Sequence, residues 1–221
     1  MTNSFKTPQQ GQTFSANDVE VFERVRDHDG YFKIDTYFVR HKKFEGGLSD
    51  VMSREVFERG HAVAVLLFDP ILDKMILIEQ FRIGAYAALA SPWFDKETHS
   101  PWLLECVAGI IDEGETPEGV AKRECLEEAN CTVLELEPIT HYLVSPGGTT
   151  ESVFLYCARV DASNAGGVHG LDHEHEDIRV LSVDTETALS WLSEGRYTNS
   201  MTLIAMQWFA LNHPRLRALW T

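Results

Sequence analysis

The chain has 221 residues, 44% hydrophobic and 24% charged, the composition of a soluble globular protein with room for one large domain or a medium domain plus an added element. Its 34 acidic residues against 19 basic ones give a formal charge of −15, which argues against duplex nucleic acid as a partner, because affinity there comes from basic side chains meeting phosphate. No window approaches the roughly 18 uninterrupted apolar residues of a membrane-spanning helix. The polar stretch Met1 to Gln12 has no apolar core of a signal peptide, so no membrane partner is expected and the cytoplasm is the expected location.

Residues 1–16 read as a loosely attached tail. From Val19 to about Phe57 the pattern alternates, with strands predicted at Tyr31–Val39 and Val51–Phe57 and turns at Asp29-Gly30 and Gly46-Gly47. The nearly continuous apolar run His61–Phe68 predicts a buried strand, Asp69-Pro70 breaks it, and Met75–Arg82 follows as its hairpin partner. The segment Ala87–Ser100 reads as a surface insertion, and Trp102–Val107 as a short strand leading into Ala108-Gly109. Next comes a helix over Pro117–Ala129, with Thr116 as N-cap, Pro117 at its first position and Asn130 suited to the left-handed residue that ends it. Strands are predicted at Ile139–Val144, Val153–Val160 and Ile178–Val183, and closing helices at Thr185–Glu194 and Asn199–Asn212. Strands and helices do not alternate as a parallel sheet requires, so the class is α+β. The four cysteines, Cys106, Cys125, Cys131 and Cys157, form no C-x-x-C pair and read as buried thiols.

The central helix carries the chemistry. Glu124, Glu127 and Glu128 are spaced by three and four, so at about 100° per residue they share one face. Like charges so placed repel, and a hard divalent cation with oxygen ligands would resolve the repulsion. The bland alternative is a solvated acidic face. Arg123, four residues before Glu127 and eight after Glu115, is placed to lock one carboxylate by a bidentate pair. Glu115 and Arg123 therefore read as structural, holding the loop from Gly109 against the helix.

Read in full, the spacing is Gly109, five residues, Glu115, seven residues, Arg123-Glu124, an apolar residue, any residue, Glu127-Glu128. This matches the signature of the Nudix hydrolase superfamily, with Asn130 in place of its glycine and Cys131 in place of its aliphatic residue. Neither departure touches the acidic face. From about Phe14 onward the chain resembles the bacterial ADP-ribose pyrophosphatases of that superfamily. The matching stretches are Arg54-Glu55 to Gly60-His61, Ile78-Glu79-Gln80 with Arg82, Pro101–Glu105, Ser145-Pro146-Gly147-Gly148-Thr149, and Glu176–Val180.

The resemblance implies a Nudix fold, a mixed sheet between helices, over 59–221. It also implies an N-terminal antiparallel strand element over 1–58 in the interface of a homodimer. It implies Mg²⁺, with Mn²⁺ as a substitute, held by Glu124 and Glu128 with Glu127 assisting and the Ala108 carbonyl completing the site. Metal there would neutralise a diphosphate and activate water for attack on phosphorus. A further carboxylate is expected on a mobile loop: Glu174 as base or water-orienting group, and Glu176 as metal-water ligand or alternate base. Arg82 would meet substrate phosphate. Arg54, Glu55 and Tyr31 would contact adenine or ribose from the neighbouring subunit, although Tyr31 also reads as a core strand residue. Ser145, Gly147 and Gly148 point within that family to ADP-ribose as the small-molecule substrate.

Two alternative functions stand beside this. Another nucleoside diphosphate sugar, such as a GDP-sugar, would use the same box, and a nucleotide-sensing module would bind without cleaving. His169, His173 and His175 lack the spacing of a zinc site and read as surface imidazoles. The stripe Met201, Ile204, Ala205, Trp208, Leu211 reads as core or dimer packing.

Overall fold

A computed structural model describes residues 13–221. The expected tail therefore lies largely outside the described residues. Ser15 caps a 3-10 turn over Ala16–Asp18, its hydroxyl accepting from the Asn17 N–H. The described residues form two compact units, one of residues 62–141 with 153–221, the other of residues 13–61 with 142–152.

The N-terminal unit is a three-stranded antiparallel sheet in the order β1 (Val19–Asp29), β2 (Lys33–His41), β3 (Met52–Glu58). The alternation from Val19 thus contains an additional eleven-residue strand. Val21, Phe22 and Val25 on it are exposed, and register shifts interrupt its pairing between Val21 and Glu23 and between Arg26 and His28. The strand predicted from Tyr31 begins at Lys33, because Gly30–Phe32 form the turn, where the Gly30 N–H donates to the Phe32 carbonyl. Asp35, fully buried, is the polar centre of this unit and takes hydrogen bonds from both Arg24 and Arg26. Bonds from Arg26 and then Arg24 outweigh the cost of burial and hold its carboxyl down at about 2. Residues 142–152 are pinned to β3. The Phe57 N–H donates to Gly148 O at 2.8 Å, and Thr150 Oγ1 donates to Glu58 at 2.7 Å.

The larger unit is built on a mixed sheet in the order β10 (Gly167–His169), β11 (Ile178–Asp184), β5 (Lys74–Phe81), β4 (Ala62–Asp69), β9 (Ser152–Arg159), β8 (Glu135–Leu143). β6 (Trp102–Glu105) pairs β5, and β7 (Val107–Ile110) pairs β4. β4 and β9 run parallel, and the other registered pairs are antiparallel. Every residue of β4 is buried, as its apolar run requires of a strand covered on both faces. Val63, Val65 and Leu67 join a core with Val120, Ala121, Cys125 and Ala129 of helix α2 (Pro117–Ala129). On the other face Phe68 meets Phe209 of helix α4 (Ser200–Trp220) edge to face, with centroids 5.0 Å apart. A mixed sheet between helices is the expected α+β arrangement.

Four local readings are corrected. A helix, α1 (Ile83–Ala88), runs into the insertion and takes up its first two residues. The run predicted as one strand over Trp102–Val107 is two, broken at Cys106, whose N–H leaves the ladder for Thr202 Oγ1 at 2.9 Å. Helix α3 (Thr185–Ser193) is as expected, but α4 continues through Pro214, because Leu216 and Trp220 extend its buried face. That face is Thr202, Ala205, Met206, Phe209, Leu216 and Trp220. It is offset from the predicted stripe, so Leu211 is exposed. All four cysteines are buried and free.

Candidate active site

Helix α2 presents the acidic box as its punctuation demands. Thr116 Oγ1 accepts from the Gly119 N–H, and Asn130 closes the helix in the left-handed region at φ 50°. Arg123 organises the carboxylates. Its Nε and Nη2 bind Glu115 at 3.1 and 3.2 Å, the bidentate lock read from the spacing. Its Nη1 donates to Glu124 at 2.7 Å and to Glu127 at 2.9 Å, contacts the spacing alone had not assigned. Glu115 also accepts the Asp112 N–H at 3.1 Å, which ties the loop after β7 to the helix. Bonds from Arg123 and then from Asp112 hold the Glu115 carboxyl below its ordinary value.

Glu128 is different in kind. It is 2% exposed, and one oxygen accepts the Ala108 N–H at 3.0 Å. Burial pushes its carboxyl up to about 8, against the lowering effect of that backbone bond. Burial likewise raises Glu124 to about 7, with the Arg123 charge opposing. Two desolvated carboxylates therefore sit on adjacent turns beside β7. Gly109 explains how they fit: a Cβ there would overlap Oε1, Cδ and Cγ of Glu124. Among the described residues, no three His, Cys, Asp or Glu side chains already converge tightly enough to enclose a metal. The donor set nevertheless suits a hard cation: all its ligating atoms are oxygens, and two of its carboxylates are held where ionisation needs a counter-charge.

The loop before β11 carries the remaining acids. Glu176 is half-buried and accepts the Leu171 N–H at 3.0 Å, and its charge raises the carboxyls of both Glu124 and Glu128. Glu174 is exposed, with Oε1 3.6 Å from His173 Nε2. Glu176 is thus within electrostatic reach of the box. Arg82 closes this group. Its Nε donates to Glu105 at 2.7 Å, and its charge lowers the Glu128 carboxyl. Burial raises the Glu105 carboxyl, against the pull of Arg82. In the sequence Glu105 is a charge within an apolar strand and the last residue of the matching stretch Pro101–Glu105, with no site role assigned to it.

The other predicted contacts belong to the N-terminal unit. Tyr31 is 83% exposed on the β1–β2 turn, edge to face with Phe32 at 4.7 Å, and is not a core strand residue. It lines a cleft of about 350 Å³ with Arg24, Arg26, Lys33, Glu58 and Arg59. Arg54 and Glu55 stand exposed on β3, opposite Tyr37 and Thr36 of β2. Ser145, Gly147 and Gly148 form a tight turn in which the Ser145 carbonyl accepts the N–H groups of Gly148 and Thr149. A Cβ on either glycine would meet nothing within 4 Å.

Comparison with known proteins agrees with this geometry. The NUDIX domain model matches residues 58–198. The chain is 46% identical over 208 residues to the ADP-ribose pyrophosphatase of Escherichia coli (strain K12), covering 94% of this chain and 95% of that protein. It is 41% identical over 210 residues to the ADP-ribose pyrophosphatase of Haemophilus influenzae, covering 95% and 94%. Identity to the GDP-mannose pyrophosphatase of Pectobacterium atrosepticum is 31% over 201 residues, covering 87% and 97%. A solved structure of an "ADP compounds hydrolase" shares the fold with a TM-score of 0.65 at 16% identity, over 94% of this chain and 99% of that one. The chain belongs to the Nudix hydrolases.

Proposed function

We propose that this enzyme hydrolyses the pyrophosphate bond of ADP-ribose to AMP and ribose 5-phosphate. The observation that carries the reading is the extent of the similarity. It covers 94% of the chain at 46% identity, so it takes in the N-terminal sheet as well as the box. A box alone names the bond; residues outside it select what is attached to the bond. The GDP-mannose relative makes a GDP-sugar the competing substrate.

Glu124 and Glu128 would hold Mg²⁺, with Glu127 assisting, the Ala108 carbonyl as fourth donor, and Mn²⁺ as a substitute. When bound, the metal neutralises charge on the diphosphate and lowers the pKa of water. The chain's own residues do the rest. Arg123 and Glu115 keep the glutamates in register with β7, and Arg82 receives phosphate oxygens. Glu174, exposed on its loop, would approach as base when substrate arrives, while Glu176 would hold metal water or act as the alternate base.

The fully exposed β1, with its apolar Val21 and Phe22, is the kind of edge that a second copy covers. This supports a homodimer through the element 1–58, with the catalytic domain over 59–221. In that dimer Tyr31, Arg54 and Glu55 would meet adenine and ribose from the partner, and the Ser145–Gly148 turn would meet the rest of the substrate. Among the described residues no helix is long and apolar enough to cross a membrane, and we place the enzyme in the cytoplasm. The test is kcat/KM for ADP-ribose against GDP-mannose, for wild type and Glu128→Gln. ADP-ribose should be preferred and the variant inactive yet folded; wild-type turnover by the variant would end the mechanism.

A further inference from the structure

Arg82 lies just past β5, where its own N–H is bound to the Pro101 carbonyl at 2.8 Å and its side chain is about one-third exposed. Its Nε is taken by Glu105 Oε2, and among the described residues neither Nη1 nor Nη2 donates to a protein acceptor. Glu105, 2% exposed at the end of β6, has its other oxygen occupied as well: Asn199 Nδ2 donates to Oε1 at 2.6 Å. Asn199 is the N-cap of α4, and its Oδ1 accepts the Thr202 N–H at 2.8 Å. Thr202 in turn accepts the Cys106 N–H. The first turn of α4 thus grips the last residue of β6, Glu105, and the break after it, Cys106, and through Glu105 that grip reaches Arg82.

A buried ion pair is a poor source of stability, since desolvation offsets most of the attraction. It is a good source of geometry. A guanidinium has five donors in a rigid fork, so binding Nε fixes the plane and leaves two N–H-bearing nitrogens for a phosphoryl group. A lysine at 82 would have to divide one ammonium between Glu105 and substrate.

We propose that Glu105, held by Asn199 at the start of α4, is the positioning residue that aims the Arg82 guanidinium at the diphosphate of the substrate. The inference rests on the reading that Arg82 meets phosphate in this site.

The test is a double-mutant cycle with ADP-ribose and Mg²⁺, reading kcat, KM and melting temperature. Glu105→Gln should raise KM about tenfold with kcat changed less than about threefold, because a phosphate contact made equally in ground and transition states appears in KM. Glu105→Asp should recover part of the loss. In an Arg82→Lys background the same Glu105→Gln change should add less than about twofold, since the group being aimed is gone. An unchanged KM, or an undiminished loss in that background, overturns the proposal. Should Glu105→Gln fail to fold, Asn199→Ser decides. Serine still caps α4 but cannot reach Glu105, so KM should rise about threefold in wild type and not in the Arg82→Lys background. No rise overturns the proposal. Wild-type cleavage of ADP-ribose tests the substrate reading separately, and the cycle can be run on whichever diphosphate sugar the enzyme cleaves.

Discussion

Gly109 and Glu124 touch so closely that a side chain on the glycine would occupy the space of the carboxylate. The glycine is neither a turn nor a left-handed residue; it lies within β7, paired with Val63 of β4. Gly109→Ala should therefore leave the ladder intact and push Glu124 out of place. The expected outcome is a loss of about 10- to 100-fold in Mn²⁺ affinity, the range seen when support of a metal ligand is removed. Activity should fall with it, while the fold, read by circular dichroism, stays native. Full Mn²⁺ affinity in the variant would remove Glu124 from the ligand set.

How far the sequence reveals this depends on the range of the forces involved. Helix α2 is legible to the residue because Thr116, Pro117 and Asn130 act within one turn of its ends. The Glu115–Arg123 lock is legible because it is helix spacing plus one loop. The break at Cys106 is not, because the apolar run is continuous and the atom that causes the break, Thr202 Oγ1, is 96 residues away. The short α1 carries no side-chain cap to announce it. Pro214 suggests a stop that the burial of Leu216 and Trp220 overrides. Tyr31 shows how a β-prone residue misleads when a turn, not a strand, holds it. Glu105 stands in the sequence only as part of a strand and of the matching stretch Pro101–Glu105, with no role to read, since its partners lie 23 and 94 residues distant.

The buried pair sets a pH dependence whose sign is fixed. Glu124 and Glu128 titrate at about 7 and about 8 in the folded, metal-free protein, above their ordinary value of 4.5, because burial disfavours their charged forms. The folded state therefore holds protons that the unfolded chain has released. Stability from these groups is complete below about pH 4.5 and is lost as pH rises through 7 to 8. Between about pH 5 and about pH 9 in EDTA, wild type should lose melting temperature relative to Glu128→Gln. Mg²⁺ should restore it at the alkaline end, and calorimetry near neutral pH should record proton release on binding. A wild-type-minus-variant difference that stays flat with pH contradicts the assignment.

Asp35 should behave oppositely. Its carboxyl is held at about 2, below its ordinary 3.8, chiefly by the bond from Arg26 and also by Arg24, so its stabilisation is present above pH 3.8 and lost as pH falls through 2. Asp35→Asn leaves two arginines without their buried counter-charge. Near neutral pH the variant should lower protection of β1 and β2 amides in hydrogen exchange, and the difference should vanish near pH 2. Unaltered protection at neutral pH would show that the arginine clamp does not hold the sheet.

Gly147 and Gly148 pose the question of why glycine is there at all. Neither has a positive φ, and a Cβ on either would point into open space, so neither backbone strain nor internal packing of this chain calls for them. The remaining physical reason for a bare backbone is the close approach of something else. Gly148→Ala should leave the melting temperature within about 2 °C of wild type, since an exposed substitution away from special backbone geometry changes stability by no more than about 0.5 kcal/mol. If substrate approaches this turn, KM for ADP-ribose should rise about fivefold or more, a cost of about 1 kcal/mol. Gly114→Ala offers the contrast. It too has open space, but its φ of 89° strains any side chain, so it should lose stability. A Gly148→Ala enzyme with unchanged KM would take the Ser145–Gly148 turn out of the substrate site.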